Sequence, residues 1–139
     1  MELLDFDISN TVLETLGIKV TTWTKEKVVA TMPVLPRTYQ PMGIMHGGVS
    51  VVLAETVASC GSYLFIEPPR QQAVGLEINA NHIRSTREGV ITAVGIPVHV
   101  GRRTLVWDIR ITDEANRLIC ISRCTMAIVE NAGESGSKE

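Results

Sequence analysis

Apolar side chains recur at helical spacing in one long stretch of the chain. Between residues 47 and 65, one stripe is formed by Val49, Leu53, Val57, Cys60 and Leu64. The opposite stripe carries Gly48, Val51, Val52, Glu55, Ser59 and Ser62. Because a helix that is apolar on both sides has to be covered on both sides, we predict a buried helix that packs on a sheet through one face. The other face should meet something else, such as a second copy of the chain.

The chain after residue 70 shows the period of two that is typical of strands. Apolar residues at 74, 76, 78 and 80, and again at 105, 107, 109 and 111, alternate with mostly polar ones. Residues 90–100 and 117–129 are apolar at both parities, and a hairpin loop is predicted at 113–116. Two shorter strands, 19–24 and 27–34, precede the helix. This order predicts an α+β fold with an antiparallel sheet against one long central helix.

The two ends of the chain have simpler patterns. Ser9 as N-cap and Gly17 as C-cap predict a short helix over residues 10–16. The prolines and glycine of residues 33–45 predict an irregular loop. With no internal repeat, residues 1–130 are predicted to form a single domain. The polar, Gly- and Ser-rich residues 131–139 are predicted to be a disordered tail.

Composition and charge narrow the classes of partner. The 139 residues include 13 Lys and Arg against 15 Asp and Glu, giving a formal net charge of −2, and only 4% are aromatic. The basic surface and stacking side chains of nucleic-acid binding are missing. Without a basic leader and apolar run, a cytoplasmic location is expected, and Glu55 argues against a membrane span. The odd number of cysteines, three, predicts reduced thiols, with no spacing typical of a metal site.

Candidate chemistry is concentrated where the long helix begins. Residues 40–48 bring Gln40, His46 and the pair Gly47-Gly48 to the helix start, and Glu55 follows. Free N–H groups at a helix N-terminus favour developing negative charge, and a lone carboxylate on an apolar helix is costly unless it is used or paired. The pattern suggests an oxyanion site and a base. Simpler interpretations stay open: a capping histidine, glycines for close packing, and a Glu55–Arg ion pair.

Several motifs identify a family when taken together. They are Gln40-Pro-x-Gly-x-x-His-Gly-Gly, Leu53-Ala54-Glu55-Thr56 with Ser59, and Gly75-Leu-Glu-Ile-Asn-Ala-Asn-His82. Across about residues 17–129 the chain closely resembles the hotdog-fold acyl-CoA thioesterases. It is most similar to the branch that acts on aromatic acyl-CoA, which includes the dihydroxynaphthoyl-CoA thioesterases of menaquinone synthesis and the proofreading thioesterases of enterobactin synthesis.

The resemblance implies a sheet wrapped around the helix and a homodimer with active sites between subunits. It implies that Glu55 is the catalytic carboxylate, either a general base or a nucleophile. The Gly47 N–H would receive the thioester oxygen, Gln40 and His46 would orient or polarise the thioester, and Ser59 would contact the acyl group or the attacking water. Strands that are apolar on both faces suggest that two dimers associate into a homotetramer.

The resemblance also implies contacts to the CoA part of the substrate. The candidates are His82, Arg84, Ser85, Arg102 and Arg103, because guanidinium groups suit phosphate oxygens. Hydrolysis to CoA and a free acid is expected to need no metal or redox cofactor. Two alternatives remain: a hotdog hydratase or dehydratase, and a sensor that binds acyl-CoA without turning it over. Glu55 and the absence of a preceding DNA-binding segment favour the hydrolase.

Overall fold

The computed structural model describes residues 6–131, which form one antiparallel sheet and one main helix. The helices are α1 (Val12–Leu16) and α2 (Gly47–Tyr63), with a 3-10 turn at Pro36–Thr38. The strands are β1 (Lys19–Trp23), β2 (Val28–Pro33), β3 (Gln71–His82), β4 (Val90–Val100), β5 (Thr104–Thr112) and β6 (Leu118–Glu130). The predicted tail begins at Asn131, whose N–H donates to the Arg70 carbonyl at 2.8 Å. Residues 132–139 lie outside the described part.

The six strands pair in the order β1-β2-β4-β5-β6-β3, and every pairing is antiparallel. Helix α2 packs against one face of this sheet, as predicted. Within the described residues, the strand β3 is at an edge and pairs only with β6, with a bulge between Gly75 and Glu77. This 12-residue edge strand carries Leu76 with 65% of its surface exposed. Among residues 6–131, no helix has the length and hydropathy needed to cross a membrane.

The buried face of α2 is formed by small and branched side chains that let the helix lie close to the sheet. Leu53, Ala54 and Val57 are fully buried. Ser62, which the sequence pattern groups with Glu55 on the second stripe, is buried and accepts a hydrogen bond from Nε1 of Trp107 at 2.8 Å. The buried indole N–H of Trp107 thereby has the acceptor that it needs.

Helix α1 is shorter than its sequence pattern predicted. It starts at Val12 with Thr11 as N-cap, and Ser9 does not cap it. The reason is local, because Asn10 has a φ of 61° and residues 9–11 form a turn before the helix. Its C-terminal end agrees with the prediction, since Gly17 adopts the left-handed conformation with φ 69°.

Candidate active site

A tight loop holds residues 40–46 against the start of α2. The Gln40 N–H donates to the Ile44 carbonyl at 2.9 Å, and the His46 N–H donates to the Thr38 carbonyl at 2.8 Å. Gly43 has a φ of 80°, a conformation that favours glycine. The loop therefore fixes Gln40 and His46 beside the first turn of the helix.

The first turn of α2 leaves one backbone donor free. His46 is the N-cap, and its Nδ1 accepts from the Gly48 N–H at 2.8 Å. The Val49 N–H donates to the His46 carbonyl at 3.0 Å. Within residues 6–131, the Gly47 N–H has no hydrogen-bond partner. His46 thus has the capping role left open by the sequence, and it leaves Gly47 as a donor at the positive end of the helix dipole.

A cavity of about 330 Å³, here called the amino-end cavity, opens beside this donor. Its lining includes Gln40, Gly47, Ser50, His82, Arg84 and Ser85. The His82 ring lies over Gly47, so a β-carbon at position 47 would be 2.7 Å from His82 Nε2 and would require this exposed ring to shift. The structure brings together Gln40 and Gly47 with three of the predicted CoA contacts.

The hydroxyl of Ser50 is unusual among the polar atoms of the described residues. Ser50 is fully buried on α2 and lines the amino-end cavity. In residues 6–131, its Oγ is the one buried side-chain nitrogen or oxygen without a hydrogen-bond partner. Nothing in the sequence singled out this residue, because a serine at this helical position is ordinary.

A second cavity, of about 550 Å³, surrounds Glu55 and is here called the carboxylate cavity. Its lining is mostly apolar and consists of Val12, Leu13, Val52, Glu55, Thr56, Ser59, Cys60, Val74 and Gly75. The Glu55 carboxylate lies against the backbone of Gly75 on β3. Among the described residues it forms no ion pair and no hydrogen bond. The ion-pair alternative is thus not observed, and the half-buried carboxylate faces an apolar cavity together with Ser59.

The thiols near this cavity are poor nucleophiles. Burial raises the pKa of Cys60 to about 11. Burial, with a smaller effect of the negative charges on Glu55 and Glu77, raises the pKa of Cys124 to about 12. Both side chains therefore stay protonated near neutral pH, which leaves the Glu55 carboxylate as the candidate nucleophile or base in this cavity.

The predicted catalytic residues do not meet within one chain. Gly47 and Glu55 are on the same helix, eight residues apart, which separates them by roughly 12 Å at about 1.5 Å per residue. Gln40 and Gly47 line the amino-end cavity, whereas Glu55 and Ser59 line the carboxylate cavity. One chain thus presents the two halves of a candidate site in different places.

The predicted CoA contacts are also divided. The Arg84 N–H donates to the Ile119 carbonyl at one end of β6, and the Arg103 carbonyl accepts from the Ile128 N–H at the other end. Nine residues of strand separate these points by roughly 30 Å. Arg102 and Arg103 line a third cavity, of about 670 Å³, beside Phe65.

Residues that the sequence did not connect with the site are Ser50 in the amino-end cavity and Val12, Leu13 and Gly75 in the carboxylate cavity. Gly75 was part of a recognised motif without a role, and its signal was a glycine inside a strand, which marks close approach of another group. The sequence does not indicate that α1 residues line a cavity, because the spacing of their apolar side chains is also that of a short helix packed on a core.

Curated relatives of this chain include named thioester hydrolases. The 1,4-dihydroxy-2-naphthoyl-CoA hydrolase of Escherichia coli is 57% identical over 100 residues, which cover 72% of this chain and 73% of that protein. The enzyme of the same name from Listeria monocytogenes is 50% identical over 115 residues, covering 83% of this chain and 93% of that protein.

Solved structures lead to the same group. Two mutant forms of SAV0944 from Staphylococcus aureus, a protein named a thioesterase, superpose with TM-scores of 0.85 and 0.82 at 40% identity. They cover 86% and 84% of this chain and 99% and 97% of the other. The sequence profile of the Thioesterase superfamily matches residues 42–120, from the loop before α2 to β6. The chain belongs to the Thioesterase superfamily and is a hotdog-fold thioester hydrolase.

Proposed function

We propose that this thioesterase hydrolyses an aromatic acyl-CoA, of the 1,4-dihydroxy-2-naphthoyl-CoA or hydroxybenzoyl-CoA type, in sites shared between two chains. The observation that carries the proposal is the Glu55 carboxylate in a mostly apolar cavity, with the Gly47 N–H at the start of the same helix; neither group has a partner within residues 6–131. A carboxylate and an oxyanion donor are the two groups that acyl transfer to water needs.

Two comparisons support the substrate and the residues. Relatives at 50% and 57% identity are named 1,4-dihydroxy-2-naphthoyl-CoA hydrolases, which favours an aromatic acyl group and a place in menaquinone synthesis. The two S. aureus structures carry substitutions of a glutamine and a glutamate that lie fifteen positions apart in that chain. Gln40 and Glu55 have the same separation here, which favours them as the corresponding pair.

The proposed chemistry uses only these groups. The Gly47 N–H donates to the thioester oxygen, and negative charge on that oxygen is stabilised as the carbonyl carbon is attacked. Glu55 either takes a proton from the attacking water or attacks the carbon itself, forming a mixed anhydride that water then hydrolyses. In both routes the carbon–sulfur bond breaks, CoA leaves as the thiol after protonation, and the acyl group leaves as the carboxylic acid.

The sharing of sites follows from the separation of the two halves. If two helices pack antiparallel about a two-fold axis, Gly47 of one chain lies beside Glu55 of the other. The outer edge of β3 offers a matching contact, since its backbone groups have no partner strand in residues 6–131 and can join a second β3 antiparallel. That axis also brings the Arg84 end of one sheet to the Arg103 end of the other. One CoA would then contact His82, Arg84 and Ser85 of one chain and Arg102 and Arg103 of the other.

A substrate panel tests the proposal. Release of free CoA thiol is measured with 1,4-dihydroxy-2-naphthoyl-, benzoyl-, acetyl- and crotonyl-CoA, and hydration of the crotonyl double bond is followed separately. We expect the highest kcat/KM with an aryl thioester and no hydration. Preference for an aliphatic thioester would contradict the aromatic substrate, hydration would indicate a hydratase, and tight binding without thiol release would indicate a sensor. Cytoplasmic location and pairing of two dimers are part of the same proposal and would be tested by fractionation and light scattering.

A further inference from the structure

We propose that helix α1 is the wall of the carboxylate cavity that contacts the acyl group, and that Leu13 determines which acyl groups fit. The inference rests on the proposed function, because it takes the cavity around Glu55 as the acyl site. It extends that function by assigning acyl selectivity to a helix outside every recognised motif.

The side chains of α1 divide between the core and the cavity. Leu16 is buried in the core with 8% of its surface exposed. Val12 is 47% exposed. Leu13 is half-buried and packs in part against the core, and both residues line the cavity that contains Glu55. Folding gains little from apolar side chains that remain in contact with water. The position of Val12 and Leu13 in the same cavity as the Glu55 carboxylate is explained if an apolar group of the substrate covers them.

The chemistry of the lining defines the occupant. Val12, Leu13, Val52 and Val74 present hydrocarbon. The Thr56 hydroxyl donates a hydrogen bond to the Val52 carbonyl at 2.7 Å. Burial raises the pKa of the Cys60 thiol to about 11, so the thiol stays protonated. Ser59 and Glu55 are the polar groups that remain. Glu55 would repel an acyl group with its own carboxylate. The cavity therefore suits a neutral acyl group, and its volume of about 550 Å³ is within the usual range for small-ligand sites.

The attachment of α1 allows the wall to be altered without disturbing the sheet. The helix has five residues, and its N-cap Thr11 makes no side-chain capping bond to the helix, because its hydroxyl donates to the Ile8 carbonyl at 2.5 Å. It is held at its C-terminal end, where the Ile18 N–H donates to the Leu13 carbonyl at 2.9 Å and Leu16 is buried. The preceding segment is held by Phe6, which packs edge-on against Tyr63 of α2 at 5.0 Å between ring centres. In sequence, the Leu13 side chain falls between the contact made by Phe6 and the buried side chain of Leu16.

The experiment compares Leu13→Trp and Leu13→Ala with the wild type, using thiol release from 2-naphthoyl-CoA, benzoyl-CoA and acetyl-CoA. Leu13→Trp should lower kcat/KM for 2-naphthoyl-CoA at least tenfold, because the indole fills the space of the second ring. The value for acetyl-CoA, whose methyl group does not reach α1, should stay within about twofold. Leu13→Ala should lower the 2-naphthoyl value roughly three- to tenfold through lost contact.

The matched control is Leu16→Ala, the same substitution one turn further along the helix but in the core. It should lower Tm and leave the ratio of the 2-naphthoyl to the acetyl kcat/KM within twofold of the wild type. An unchanged ratio in both Leu13 variants, or equal losses on all three substrates, would overturn the inference. A wild-type preference for an aliphatic thioester would contradict the proposed aromatic substrate. A changed ratio of the 2-naphthoyl to the acetyl kcat/KM in Leu13→Trp would still support α1 as the wall of the acyl site.

Discussion

The carboxylate of Glu55 occupies the space that a side chain on Gly75 would fill. A β-carbon at position 75 would overlap Glu55 Oε1, although Gly75 has no unusual φ that would itself require glycine. The absent side chain therefore lets the carboxylate lie against the backbone of the edge strand β3. This contact would make Gly75 a positioning residue for Glu55, the group proposed to act on the thioester or on water.

The substitution Gly75→Ala should displace Glu55 and lower kcat by about 10- to 100-fold. The substitution Glu55→Gln removes the base itself and should lower kcat by about 10²- to 10⁴-fold. Tm should change little, because the overlapping atom is the end of a flexible side chain. Gly95→Ala is the contrast: its β-carbon would overlap buried Val57, so Tm should fall. Full activity in Gly75→Ala would show that the carboxylate does not need this position.

Sites shared between chains predict complementation. A Glu55→Gln chain and a Gln40→Ala chain, each expected to have little activity alone, are coexpressed in equal amounts and purified with two different tags. Random pairing makes about half of the dimers mixed, and each mixed dimer has one intact site of two. Total activity should reach roughly a quarter of wild type. Purified mixed dimers no more active than their parents would contradict the sharing, provided that Gln40→Ala is itself weak.

Arg84→Ala and Arg103→Ala should each raise KM for CoA thioesters about tenfold or more. A truncated thioester that lacks the nucleotide should be affected less than twofold, since a phosphate contact acts only on the nucleotide end of the substrate. Arg110→Ala is the control, because Arg110 is exposed on β5 and pairs with Asp108 at 3.6 Å, away from all three cavities. Equal effects on both substrates would argue against a CoA contact.

Replacing each of two serines of α2 by alanine should affect stability differently. Both are fully buried, but the Ser50 hydroxyl has no partner among the described residues, whereas Ser62 accepts from Trp107. Ser50→Ala should leave the free energy of unfolding unchanged or raise it by about 1 kcal/mol, because an unpaired buried hydroxyl is removed. Ser62→Ala should lower it by about 1–3 kcal/mol, since the indole N–H loses its acceptor. Urea denaturation measures both, and equal destabilisation would show that Ser50 is paired.

The sequence by itself determined the architecture. The helical spacing from residue 47 onward was confirmed as α2, Gly47–Tyr63. The alternation at 74–80 and 105–111 and the apolar runs at 90–100 and 117–129 were confirmed as the four long strands. These elements are local consequences of side-chain period, cap and turn residues. The motif around Gln40, His46 and Gly47 was placed correctly at the start of α2 for the same reason, because its residues are neighbours in the chain.

Tertiary structure alone decided which distant residues meet. The packing of α2 on the sheet set His82 over Gly47, Glu55 against Gly75 and Ser62 beneath Trp107. It also brought α1 to the carboxylate cavity, and it separated Arg84 from Arg103 along β6. The period of a helix or strand says which face a residue is on, but not which residue of another element lies opposite. That choice depends on strand order, register and packing, which arise only when the whole sheet closes on the helix.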